Sequence, residues 1–191
     1  MPKLGMEPIR RAALVKATID VIGAQGSLDV TVSQIAKQAG MSSALAHHYF
    51  GGKDQIFLAA MRQILLDFGA EVRAALRAAS TPRARAEALI AVSFVPSCFE
   101  PATVSAWMTL YAQAAVQPDM HRLLRMYQAR VRSNLTHALR PLSDTPLDDA
   151  ETLSALIDGL YLRAALARET DAATARATAL RALDRLTGAH P

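Results

Sequence analysis

The sequence predicts an all-α fold, with a small N-terminal module of three short helices ahead of a larger helical body. Three observations carry that expectation. Apolar residues recur with a helical period through almost every segment of the 191-residue chain, and no segment keeps up the strict alternation of a half-buried strand. Helix-starting and helix-stopping residues also divide the first fifty positions at intervals that suit short helices. A chain of this length can bury a core as one or two compact units.

The first helix is expected from Glu7 to about Gln25, with Ala13, Leu14, Ala17 and Val21 on its apolar side and Gly26 as its stop. Thr31 then stands three residues before Gln34, the spacing of a capping box in which hydroxyl and amide each satisfy an orphan backbone N–H. Val32, Ile35, Ala36 and Ala39 mark one face of a short second helix, and Gly40 is placed to end it in the left-handed conformation. Ser42 is the N-cap expected for a third helix reaching about Phe50. At 100° per residue, Leu45, Ala46, Tyr49 and Phe50 fall on one side of that helix, and Ser43, Ala44, His47 and His48 on the other. The first group packs; the second is small or hydrogen-bonding and faces outward. Two short helices joined through Gly40, the second with a polar outer face, form the pattern of a helix-turn-helix, whose exposed surface fits a major groove.

Other chemistries suggested by AGMSSALAHHYFGGK, Ala39 to Lys53, fit less well. Adjacent histidines point about 100° apart on a helix, whereas zinc takes ligands at i, i+4 with a third from elsewhere, so no metal site is expected. FGGKD is not a phosphate loop, because Asp54 stands where Ser or Thr should hold magnesium and His47 where the first Gly belongs. No cofactor is expected. The absence of a Gly-x-Ser-x-Gly elbow, a His-Glu-x-x-His pair and a paired carboxylate motif argues against an enzyme.

Charge is distributed unevenly. Residues 1–62 hold seven Lys/Arg against four acids, while the rest of the chain holds fourteen against thirteen, out of a net charge of +4. A basic module on a nearly neutral body suits a polyanionic partner at the N-terminal end. The lone Cys98 excludes an intrachain disulfide and reads as a buried, inert thiol. With no eighteen-residue apolar run and no signal-peptide pattern in the first twenty residues, a soluble cytoplasmic protein is expected.

Further along, a long helix from about Asp54 carries Phe57, Met61, Ile64, Phe68, Val72 and Leu76, and STPRAR from Ser80 reads as a break between domains. Pro96 and Pro101 imply an irregular turn between helices, followed by a new helix on which Trp107 and Tyr111 share a face. Near the end, Leu153, Leu156, Ile157, Leu160 and Ala164 line one stripe, with Asp148 or Asp149 at its acidic start and Arg168 at its end. Asp171 caps a last helix with Ala179, Leu180, Leu183 and Leu186 on its apolar side. These two helices per subunit suit either a four-helix interface in a homodimer or the core of a single chain.

Thr31 to Phe57, TVSQIAKQAGMSSALAHHYFGGKDQIF, resembles the DNA-binding module of the TetR-type repressors: a Thr-led helix, Ala-Gly-Val-Ser (Ala39-Gly40-Met41-Ser42 in this sequence), an aromatic cluster ending in Phe, then Lys and an acid. MPKLGMEPIRR, AWMTLYAQAAVQPDMHRLLRMYQARVRSNL and ALIDGLYLRAAL resemble the choline-responsive branch of those repressors, which controls glycine betaine (osmoprotectant) synthesis genes. The resemblance implies a helix-turn-helix domain over 1–53, with its motif at about 31–50, and an effector-binding and dimerisation domain over 54–191. It implies a homodimer joined through the last two helices, bound to an inverted-repeat operator in double-stranded DNA and responding to a small cationic effector. Thr31 and Lys53 occupy phosphate-holding positions, with Ser42 at the start of the recognition helix. Ser43, Ala44 and His47 occupy the groove-facing positions. His47 departs from a family Tyr that touches the backbone; Tyr49 is open to taking over that contact or to simple packing, and His48 to a phosphate or a base edge.

A quaternary ammonium such as choline is held by aromatic faces with a carboxylate to balance its charge. Trp107, Tyr111, Phe94, Phe99 and Tyr161 are the candidate faces and Asp158 or Glu100 the charge, although aromatics at helical spacing also serve as ordinary core. Asp158 lies inside the apolar run LSALIDGLYL, where an acid is costly unless exposed or paired, for example with Arg163. Other readings are a TetR-type repressor of an unrelated pathway with another apolar or cationic effector, and a ligand-independent DNA-architectural protein.

Overall fold

A computed structural model describes residues 6–25, 29–167 and 171–188. Nine α-helices and no strand are found among them: α1 Met6–Gln25, α2 Val32–Gln38, α3 Ser43–Phe50, α4 Lys53–Ala78, α5 Pro82–Val92, α6 Pro101–Ala114, α7 Pro118–Leu139, α8 Pro146–Leu166 and α9 Ala172–Leu186, with one 3₁₀ turn at Pro96–Phe99. The expected stop at Gly26 and the basic end at Arg168 lie outside the described residues.

By its internal packing the chain forms two compact units, Met1–Leu66 with Glu100–Leu124, and Asp67–Phe99 with Arg125–Pro191. This differs from a division at 53/54, because α6 packs along α1 and joins the first unit. STPRAR does break the helix between α4 and α5, with the Thr81 hydroxyl accepting from the Ala84 N–H at 3.1 Å. It does not separate the units, since both flanks belong to the second one.

In the first unit, Leu14, Ala17 and Ile22 of α1, Ile35 and Ala36 of α2, Ala46 of α3, and Ile56, Phe57 and Met61 of α4 make the buried core around the short helices. Burial of such side chains contributes roughly 1.5–3 kcal/mol each for the larger ones. Gly23 lets α1 approach α6 more closely than any side chain allows. Trp107, Leu110 and Ala114 are buried on α6.

The second unit is held by α8 and α9, with α5 packed on α9. Leu153, Ile157 and Ala164 of α8 and Ala179 and Leu183 of α9 are buried, as the periodicity predicts, whereas Leu156, Leu160, Leu180 and Leu186 are only half-buried in the single chain. Asp171 caps α9 through the Thr174 N–H at 2.9 Å, and Asp148 and Asp149 lie in the first turn of α8. Arg83 of α5 bonds Glu87 at 2.7 Å and also pairs with Asp184 of α9, fixing two helices about a hundred residues apart in sequence. No single helix among the described residues is long and apolar enough to cross a membrane.

Candidate DNA-binding surface and effector-binding residues

Local chemistry fixes the α2–α3 pair. Gln34 N–H donates to the Thr31 hydroxyl oxygen at 3.2 Å, and the Thr31 N–H donates to the Gln34 side-chain carbonyl at 2.7 Å, completing the capping box. The Thr31 hydroxyl also reaches that carbonyl at 3.0 Å, so the carboxamide oxygen stands before both donors. Gly40, at φ 67°, closes α2 with Gly40 N–H on the Lys37 carbonyl at 3.1 Å and Met41 N–H on that of Ala36 at 2.8 Å. These two bonds define a Schellman end, which satisfies the last carbonyls and turns the chain into α3. Ser42 then caps α3 through the Leu45 N–H at 3.3 Å.

The outer face of α3 is the one read from the sequence. Ala44, His47 and His48 are exposed, Ser43 is half-buried, and Ala46 is fully buried on the opposite side. His47 Nδ1 lies 3.1 Å from the Gly51 carbonyl oxygen. Gly51 ends the helix at φ 81°, and Lys53 follows as the first residue of α4, half-buried. Tyr49 packs: the Arg10 guanidinium donates to its hydroxyl at 3.4 Å, and the Arg11 guanidinium lies 5.7 Å from its ring centroid and 5.1 Å from that of Phe50. In the sequence Arg10 and Arg11 stand out only as N-terminal charge and as the end of the MPKLGMEPIRR segment. Nothing in their spacing announces a pairing with residues 39 positions away.

The candidate effector residues fall into two groups. In the first unit, Trp107 and Tyr111 form a tilted pair with ring centroids 5.9 Å apart, and Glu100 precedes α6 without a side-chain cap bond. In the second unit, Phe99 and Tyr161 lie 5.4 Å apart, Phe94 is buried, and the Tyr161 hydroxyl donates to the Cys98 carbonyl at 2.9 Å. Asp158 belongs to this second group, one helical turn before Tyr161 on α8. Burial alone pushes its carboxyl up to about 6. It has no hydrogen bond or ion pair among the described residues, Arg163 included. Burial, with the Glu71 charge nearby, also raises the Cys98 thiol to about 11, which keeps it protonated and inert. Among the described residues no group of three His, Cys, Asp or Glu side chains could hold a metal ion.

Two capped short helices with a polar outer face define a helix-turn-helix DNA-binding protein. Residues 14–60 match the bacterial regulatory proteins of the tetR family, and residues 82–188 match the C-terminal domain of BetI-type transcriptional repressors. The chain is 51% identical over 178 residues to the HTH-type transcriptional regulator BetI of Brucella suis, covering 92% of this chain and 90% of that protein. It is equally 51% identical over 170 residues to BetI of Rhizobium meliloti, covering 87% and 83%. The fold is shared with a TetR transcription regulator from Haloarcula marismortui, at TM-score 0.83 and 24% identity over 94% of this chain and 98% of that one. It is shared also with a transcriptional regulator from Saccharomonospora viridis crystallised in complex with choline, at TM-score 0.82 and 22% identity over 91% and 95%. The chain belongs to the TetR family, and its C-terminal domain is of the BetI type; it is a DNA-binding transcriptional repressor and not an enzyme.

Proposed function

We propose that this protein is a dimeric repressor of choline-to-glycine betaine genes, binding an inverted-repeat operator in the cytoplasm and responding to choline. The observation that carries the effector assignment is Asp158. Asp158 is half-buried and unpaired among the described residues, a costly place for a carboxylate, and one helical turn before Tyr161 of the Phe99–Tyr161 pair it offers charge close to aromatic surface. A quaternary ammonium accepts both and needs no hydrogen bond from the protein. The naming of the BetI relatives and the choline complex of a protein with this fold support the same effector.

On DNA, residues 1–53 act as the reading head. Thr31 and Lys53 hold phosphates, with Ser43, Ala44 and His47 facing the groove and His48 beside them. Residues 54–191 carry the effector and the dimer. The half-buried Leu156 and Leu160 of α8 and Leu180 and Leu186 of α9 suit a four-helix interface with a second copy. In that dimer the two α3 helices must stand about 34–36 Å apart, or a further whole helical turn, to meet successive major grooves. Choline lowers occupancy only by binding the arrangement with the wrong spacing more tightly than the right one.

The test is a titration of purified protein against duplex from the promoter beside its own gene, at two salt concentrations, with and without choline. Tight, selective, salt-sensitive binding weakened by choline is expected. Asp158→Asn should abolish the choline response while sparing DNA binding, and Trp107→Ala asks whether the Trp107–Tyr111 pair takes part. Selective binding indifferent to choline overturns the effector assignment; binding without selectivity overturns the operator.

A further inference from the structure

One hydrogen bond back to the main chain orients the exposed His47 imidazole. Its Nδ1 faces the Gly51 carbonyl oxygen at 3.1 Å, while the Gly51 N–H donates back to the His47 carbonyl at 2.7 Å. Gly51 keeps φ 81°, so this double closure is part of how α3 ends. A carbonyl oxygen can only accept, and the ring hydrogen must therefore sit on Nδ1. In the neutral ring Nε2 is then left with its lone pair. The side chain is exposed, one helical turn beyond Ser43 and Ala44 on the outward face.

Few groups on a duplex can meet an acceptor there. Phosphate oxygens, guanine N7 and O6, adenine N7 and thymine O4 all present lone pairs of their own. The hydrogen-bond donors of the major groove are the exocyclic amines, N6 of adenine and N4 of cytosine. We propose that His47 selects a base through Nε2, accepting from an exocyclic amine in each operator half-site, and does not serve as a phosphate contact. The inference rests on α3 being the recognition helix. Two-fold symmetry would place the same contact twice on the operator, so a single residue sets one base pair in each half-site.

Every base pair carries one such amine, so a consensus sequence alone does not identify the contact; deleting the amine does. Duplexes are first selected from a randomised inverted-repeat library with the wild-type protein and with His47→Ala. At each position of the selected half-site, adenine is then replaced by purine, or cytosine by 2-pyrimidinone, each lacking only the amine. The wild type should lose roughly 2- to 12-fold in affinity at one position per half-site, the worth of a single hydrogen bond, and His47→Ala should bind intact and amine-deleted duplexes equally. Because the first arm alters only the DNA, it needs no folded variant. The proposal is overturned if no amine deletion weakens the wild type, or if His47→Ala keeps the wild-type sensitivity at every position. It is also overturned if the variant weakens binding uniformly across sequences, the behaviour of a phosphate contact. A wild type that selects no sequence removes the operator reading itself, an outcome distinct from all of these.

Discussion

Gly23 of α1 and Ala102 of α6 are packed so closely that a Cβ on Gly23 would stand 2.4 Å from the Ala102 Cβ and 2.9 Å from its Cα. Neither obstacle is the movable end of a long side chain, so Gly23→Ala must push the two helices apart. The expected cost is about 1–3 kcal/mol, as for other overpacked contacts. It would be read as a lower urea midpoint with unchanged slope. Ala102→Gly in the same chain should recover part of the loss, giving a non-additive cycle. Equal midpoints for Gly23→Ala and wild type would mean that α6 does not lie against α1 here.

The capping box separates a structural role from a DNA-binding one. Gln34→Ala removes only the reciprocal half of the box and should lower stability by about 1 kcal/mol or less while leaving the Thr31 hydroxyl available. Thr31→Ala removes the cap and the proposed phosphate donor together. It should lower stability by about 1 kcal/mol and weaken binding to selected and unselected duplexes alike. Thr31→Ser should restore both. If Thr31→Ala and Gln34→Ala affect DNA binding equally, after correction for the folded fraction, Thr31 acts only as a cap.

These contacts show why some of the molecule was legible in the sequence and the rest was not. Thr31 with Gln34, Gly40, Ser42 and Asp171 act within a few residues of themselves, through hydrogen bonds whose partners spacing alone identifies, and each lies where it was expected. Ala46 and the α8 stripe were legible for the same reason, since helical period decides which side a residue takes. The closeness of Gly23 to Ala102 left no trace, because the signal is a missing side chain whose meaning depends on a helix eighty positions away. Phe99 against Tyr161 and Arg83 with Asp184 are likewise products of tertiary packing. The candidate DNA face was therefore readable nearly whole, while the candidate effector residues were readable only as a list of types. Tyr49, left open between phosphate and packing, lies half-buried under Arg10 and Arg11 because α1 crosses its ring.

Lys53 stands at the first residue of α4, directly after the turn that ends α3, with its ammonium in no ion pair among the described residues. As a phosphate contact it should contribute affinity without choosing a base. Lys53→Ala is expected to weaken selected and random duplexes by the same factor and to reduce the slope of log affinity against log salt by about one per subunit. An unchanged slope would remove Lys53 from the interface.

Asp158 links stability, pH and effector. Its carboxyl is raised by burial to about 6 from an ordinary 3.8, so the folded chain keeps a proton that the unfolded chain gives up between those values. The unfolded state binds fewer protons in that window, and this residue therefore makes stability fall as pH rises from about 4 to 6. Above that range the native state carries an uncompensated, half-buried charge, a penalty of about 3 kcal/mol. Asp158→Asn should remove it, so the variant is expected to be more stable than wild type at pH 7 and no more stable at pH 4. A quaternary ammonium compensates the same charge. Choline should therefore raise the wild-type melting temperature at pH 7.5, lose that effect as pH drops below about 6, and leave Asp158→Asn unmoved at either pH. A choline effect independent of pH and retained in Asp158→Asn would place the effector elsewhere; a variant less stable at pH 7 would show that the carboxylate is already satisfied in the folded protein.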